Sequence, residues 1–188
     1  MTLLDSESMI TEHLHPRVAE IIDELEATQR AFVEFIDTIP EEQRQAPAVG
    51  ARWSFAQHVE HLAVVEDGTG RLMSKLIRRV REIGARETDE SSVLHSIDQH
   101  RIWTLNQRLE APEMVRPKDG APADESLARL AQSRERVTVA LRDASGLALS
   151  TATAPHPYFG QFDVYQWGLM LAHHQRRHAE CIRELLAS

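Results

Sequence analysis

Four stretches of this chain space their apolar residues three and four apart, the repeat of an amphipathic helix, and no stretch sustains the alternation of a half-buried strand. The first begins at Pro16, a residue suited to a first helical position, and runs to about Thr38. Its apolar face carries Val18, Ile21, Ile22, Leu25, Phe32, Phe35, Ile36 and Ile39, and Pro40 ends it. The second begins after Ser54, a natural N-cap, with Gln57 completing a capping box and Trp53 placed to staple the first turns. It runs to about Ile83, where Gly84 can terminate it. The third spans about Asp124 to Ala144, with Leu127, Leu130, Ala131, Val137 and Leu141 expected inward. The fourth follows Asp163, another natural N-cap, and carries Tyr165, Trp167, Leu171, His174, His178, Cys181, Ile182 and Leu185.

Four such helices can bury their apolar faces only against one another, so the expected fold is all-α: a four-helix bundle forming a single domain over residues 1–188. A chain of 188 residues is long enough for one full core. The connections, roughly 15 to 40 residues long, exceed what an up-down bundle needs, so at least one is expected to cross over or to border a functional cleft. Residues 85–123 are the least readable. SVLHSIDQHRIWTLNQRL (92–109) has the composition of a shorter helix, and EAPEMVRPKDGAPADE (110–125) reads as a Pro-rich connection. LALSTATAPHPYFGQF (147–162) reads as a loop.

A net charge of −8 argues against a nucleic-acid partner, whose phosphates demand clustered positive charge. Arg71, Arg78, Arg79 and Arg81 do cluster on the second helix, but acidic residues flank them and a solvated face explains them. No apolar run reaches the ~20 residues of a membrane helix, and the N-terminal MTLLDSESMITEHLHP lacks a basic stretch and an apolar core. A cytoplasmic protein with no membrane partner is therefore expected. Cys181 is the single cysteine, which rules out an intramolecular disulfide and fits a reducing compartment.

Against this ordinary background the histidines stand out. His174 and His178 are four apart, so their rings leave one face of the last helix about one turn apart. His61 lies near the start of the second helix, on a stripe with Gln57, Val64, Val65 and Gly68. If the two helices pack side by side, three imidazoles meet at one place, leaving open positions as in a catalytic zinc-type site. The same spacing also fits three ordinary bundle histidines. His58 and His173 fall about 60–100° off the ligand face and read as peripheral, and His95, His100 and His156 carry no spacing argument.

Two segments bear on that choice. WSFAQHVEHL (53–62) resembles the W-S-x-x-x-x-x-x-H-L helix entry of the DinB-like superfamily. HPYFGQFDVYQWGLMLAHHQRRHAECI (156–182) resembles that superfamily's H-P-x-F-G…W…H-x-x-R-H-x-x-Q-I segment. They cover about a fifth of the chain, in the right order and in a chain of fitting length. The resemblance implies a four-helix bundle holding a divalent metal (zinc, nickel or iron) through His61, His174 and His178. Members are often homodimers; characterised ones include thiol-dependent S-transferases and a mycothiol-dependent maleylpyruvate isomerase, and others are regarded as metal-dependent hydrolases. The family name comes from damage-inducible genes and implies no polymerase activity. One departure concerns Cys181, which stands where the pattern has Gln; a thiol is a weaker hydrogen-bond donor than an amide. Cys181 and Gln57 are therefore the candidates to touch the ligand histidines from behind, Cys181 also as a fourth ligand and Gln57 in competition with its capping role.

Hydrolysis at such a site wants a carboxylate base. Glu60, Glu66 and Asp67 lie on the His61 helix, but none shares its stripe cleanly, and no H-E-x-x-H, G-x-S-x-G, P-loop or dinucleotide-binding glycine pattern occurs. A metal-activated thiol needs no such base. The leading expectation is thus activation of a low-molecular-weight thiol for transfer to a small electrophilic substrate. The alternatives are metal-dependent hydrolysis of a small ester or amide, and a non-catalytic stress-response binding module.

Overall fold

The computed structural model describes residues 14–48, 50, 52–104, 109–118 and 121–187. The four expected helices form: α1 (Pro16–Asp37), α3 (Phe55–Ile83), α4 (Ala123–Asp143) and α5 (Val164–Leu186), with a single-turn α2 (Glu41–Arg44) between the first two. Their ends follow the local chemistry. Pro16 sits in the first turn of α1, and Gly84 closes α3 at φ 72°, a left-handed conformation that costs glycine little.

The helices pack in a ring, α3 against α4 and α5, and α1 against α5 and α4. α1 and α5 approach closely at Gly168. A Cβ added at Gly168 would stand 2.5 Å from Ile21 Cγ2, so only glycine lets these helices come together there. The apolar core is in two parts. One gathers Ile21, Leu25, Met73, Val137, Leu141 and Leu169; the other gathers Phe32, Phe55, Val59, Leu130, Ala179 and Ile182. A polar layer crosses the bundle between them. Arg134 donates from Nε and Nη2 to the Glu66 carboxylate (2.8 Å for Nη2–Oε2), from Nη1 to the Leu25 carbonyl (2.5 Å), and from Nη2 to Gln175 Oε1 (3.1 Å). Gln175 in turn donates to Gln29 Oε1 at 2.8 Å. Each helix of the bundle contributes to this layer, so sliding any one of them breaks a buried bond.

Three expectations change. Ala131 is exposed and Arg134 is buried in its stead, because the polar layer gives the inward face of α4 a charged residue that an apolar count passes over. The described part of residues 92–109 forms two 3₁₀ turns, Asp98–His100 and Ile102–Thr104, rather than a helix; residues 105–108 lie outside the described residues. The loop at 147–162 contains a two-stranded antiparallel hairpin, β1 (Thr153–His156) and β2 (Gly160–Asp163), with Ala154 opposite Phe162, both buried. Strands of four residues are too short to show alternation in a sequence. No helix among the described residues is long and apolar enough to cross a membrane.

Candidate metal centre

Two capping boxes set the helices that carry the histidines. At α3 the Gln57 amide donates to Ser54 Oγ (3.2 Å) and Gln57 Oε1 accepts from the Ser54 amide (2.9 Å). This fixes where the helix begins and so places His58 and His61 in its first two turns. Asp163 and Gln166 form the same pair at α5, eleven residues before His174. Gln57 Oε1 is thus used in the cap, and Gln57 lines a small separate pocket with Glu60 and Lys118.

His61, His174 and His178 come together as the spacing requires. One ring nitrogen from each lies within 4.8 Å of the other two, and the group contains no carboxylate or thiol among the described residues. His61 Nε2 faces His174 Nε2 at 3.2 Å, while His61 Nδ1 lies 2.7 Å from the Val115 carbonyl oxygen. A carbonyl only accepts, so Nδ1 carries the proton and Nε2 presents a lone pair to the cluster. A tetrahedral site with metal–nitrogen bonds of ~2.0–2.1 Å needs donors about 3.3 Å apart, close to the spacing of His61 and His174. With His178 within 4.8 Å of both, three neutral imidazole donors are placed where they could hold a divalent ion.

His58 is not peripheral. It is buried, its Nδ1 lies 2.9 Å from His178 Nδ1, and one of the two must donate. Trp53 closes the same corner, with ring contacts to His58, His61 and His178, the last stacked at 12°. His173 does face elsewhere, toward Trp103.

Electrostatics keeps the three rings neutral. Burial lowers the pKa of His61, opposed in part by its bond to Val115. Burial first, and then the charges that neighbouring histidines would carry, push His174 and His178 well below the ordinary histidine range; Arg177 adds to the effect on His178. Neutral imidazole is the ligand form, so the fold removes the proton a metal would have to displace.

The three carboxylates named on α3 are committed elsewhere. Glu60 accepts from the Lys118 amide (3.0 Å), Glu66 pairs with Arg134, and Asp67 pairs with Arg71 (2.5 Å) and Arg136 (2.9 Å). Cys181 is half-buried and lines the cavity beside the cluster, outside the group of converging nitrogens.

That cavity has a volume of about 1050 Å³ and a mostly apolar lining, including Val65, Leu72, Phe159, Trp167 and Met170, with the three histidines in its wall. The connections that are hardest to read in the sequence supply much of the rest. Residues 109–116 form one side, tied to the hairpin by the Tyr158 hydroxyl, which donates to the Glu110 carbonyl. The Val115 carbonyl comes from this segment, and a main-chain acceptor leaves no trace in a sequence. His58 does carry a sequence signal, since it lies one turn before His61 and packs under the same tryptophan, but its angle from the ligand face conceals it.

Comparison with known proteins places the chain in a family and agrees with the helical bundle. A family model described as the DinB superfamily matches residues 24–182. The chain is similar to the uncharacterized protein YuaE of Bacillus subtilis (strain 168), 27% identical over 146 residues covering 77% of this chain and 83% of that protein. Among solved structures it resembles TT2238, a four-helix bundle protein. The TM-score is 0.56 at 23% identity, over 91% of this chain and 99% of the other, a likeness of fold.

Proposed function

The chain belongs to the DinB superfamily, and on that premise we propose a metal-dependent enzyme in which His61, His174 and His178 hold a divalent zinc, nickel or iron ion. Its reaction is the transfer of a low-molecular-weight thiol to a small, largely apolar electrophile. The observation that carries the reading is the convergence of three neutral imidazoles in the wall of a cavity of about 1050 Å³, room enough for a thiol and an acceptor together. A bound divalent ion would supply Lewis acidity that lowers a thiol's pKa and raises its thiolate fraction at neutral pH.

The remaining work falls to the chain. The Val115 carbonyl holds the His61 proton on Nδ1 and so aims the Nε2 lone pair, and the His58–His178 contact orients the second ring. Trp53 and the apolar lining keep bulk water from the cluster and accept the body of the electrophile. Sulfur forms the new bond to carbon as the S–H bond breaks together with either a π bond of the acceptor, whose electrons then take the proton, or the bond to a departing group, which leaves with the proton. The engagement of Glu60, Glu66 and Asp67 with other partners removes these three carboxylates as bases for activating water, which leaves Glu110 and Glu184 as the carboxylates lining the cavity among the described residues.

The test uses cobalt-substituted protein. A new sulfur-to-cobalt absorption band on adding glutathione, mycothiol or bacillithiol supports thiol activation. No spectral change with any of the three, together with thiol-independent turnover of small esters at pH 7–9, transfers the assignment to hydrolysis.

A further inference from the structure

We infer that His156 is a substrate-binding residue. Its Nε2–H donates to a carbonyl-type oxygen of an apolar, ring-bearing molecule lying in the cavity. The inference rests on the cavity being the substrate site, as proposed above, and concerns a histidine outside the metal-binding group.

His156 ends β1 and lines the cavity with the three converging histidines. The Tyr158 main-chain amide donates to His156 Nδ1 at 3.2 Å. An amide N–H can only donate, so Nδ1 holds a lone pair and the one proton of the neutral ring sits on Nε2. Burial, and secondarily His100, lower the pKa of this ring to about 4, which keeps it neutral at pH 7. Among the described residues no group accepts from Nε2, nor is that nitrogen sealed in the interior.

The ring is also held in place. It stacks on Phe159 (centroids 4.6 Å apart, planes 20° apart) and contacts Phe162 at 5.2 Å and Trp167 at 5.3 Å. The result is a rigid donor, at a fixed tautomer, set among aromatic surfaces. A donor in an apolar wall is satisfied by an acceptor brought in by the ligand, and the aromatic surround favours a neutral oxygen over a carboxylate, whose desolvation costs far more. A ketone, ester or amide on an apolar body has the matching chemistry, and its carbonyl is the group that makes such a molecule electrophilic.

The test has two arms, both on the metal-free full-length chain. Nitrogen-15 NMR of the imidazoles is expected to show His156 as the neutral Nε2–H tautomer at pH 7. Binding of acetophenone and ethylbenzene, followed by tryptophan fluorescence, is expected to favour the ketone. His156→Phe removes that preference, a loss of about three- to tenfold for the ketone alone, whereas His156→Gln keeps a donor and retains part of it. An Nδ1–H tautomer, a protonated ring at pH 7, equal binding of the two probes to the parent chain, or no binding of either overturns the inference. Neither arm involves metal, so failure to take up metal removes the proposed activity and leaves the His156 result to be judged by itself.

Discussion

Replacing Glu66 with leucine exposes what the buried polar layer contributes. Glu66 is 2% exposed and Arg134 is 4% exposed. The carboxylate takes two of the four bonds made by the guanidinium, while the Leu25 carbonyl and Gln175 take the others. Glu66→Leu leaves a positive charge in the interior with two neutral acceptors and no counter-ion, a situation that costs ~3–5 kcal/mol. Glu66→Leu/Arg134→Met removes both charges; the Leu25 carbonyl still accepts from Thr28 Oγ1, so what remains is one amide oxygen, Gln175 Oε1, without its donor, about 1–3 kcal/mol. The double variant is therefore expected to be more stable than Glu66→Leu alone. Urea unfolding of metal-free protein at pH 7, followed by circular dichroism, measures both. A single variant within about 1 kcal/mol of the parent, or a double variant less stable than the single, would refute the view that Arg134 depends on Glu66.

Three further outcomes follow from the site. His58→Phe takes away the partner of His178 Nδ1 without touching a proposed ligand, and metal affinity is expected to fall ~10–100-fold in competition titrations with a chelator; unchanged affinity would show that His58 does not orient His178. Cys181→Ser is expected to retain metal at the parental stoichiometry, because Cys181 stands outside the converging nitrogens; loss of metal would make it a ligand and the site a closed one. Acidification is expected to destabilise the metal-free protein. His61, His156, His173, His174 and His178 all have folded pKa values below the ordinary 6.5, so below that pH the unfolded chain binds protons the folded chain does not. The stability is fully present above pH 6.5 and declines as pH falls toward 4, so the urea midpoint should drop between pH 7 and pH 5; a flat or rising midpoint contradicts the neutral, buried assignment.

The helices were legible because each carries its own signals. Pro16, Ser54 with Gln57, Gly84 and Asp163 mark ends through local bonding that needs no tertiary information. The three histidines were legible for the same reason: helical spacing puts His174 beside His178, and one helix pairing brings in His61. What stayed hidden depends on distant partners. Arg134 is inside because Glu66 is 68 residues away in sequence and within bonding reach. The Val115 carbonyl and the hairpin reach the site through connections whose conformation is set by what they pack against. Those connections form much of the cavity, so the metal ligands were easier to anticipate than the surroundings that choose a substrate.

The central claim is that His61, His174 and His178 form a metal site, and the most direct test is the metal content of untagged protein beside the His174→Ala/His178→Ala variant. The account predicts about one divalent ion per chain in the parent, retained through gel filtration, and none in the variant. A parent chain that holds no metal and takes up neither added zinc nor added nickel would contradict it, and would leave the three histidines as ordinary members of a helical bundle.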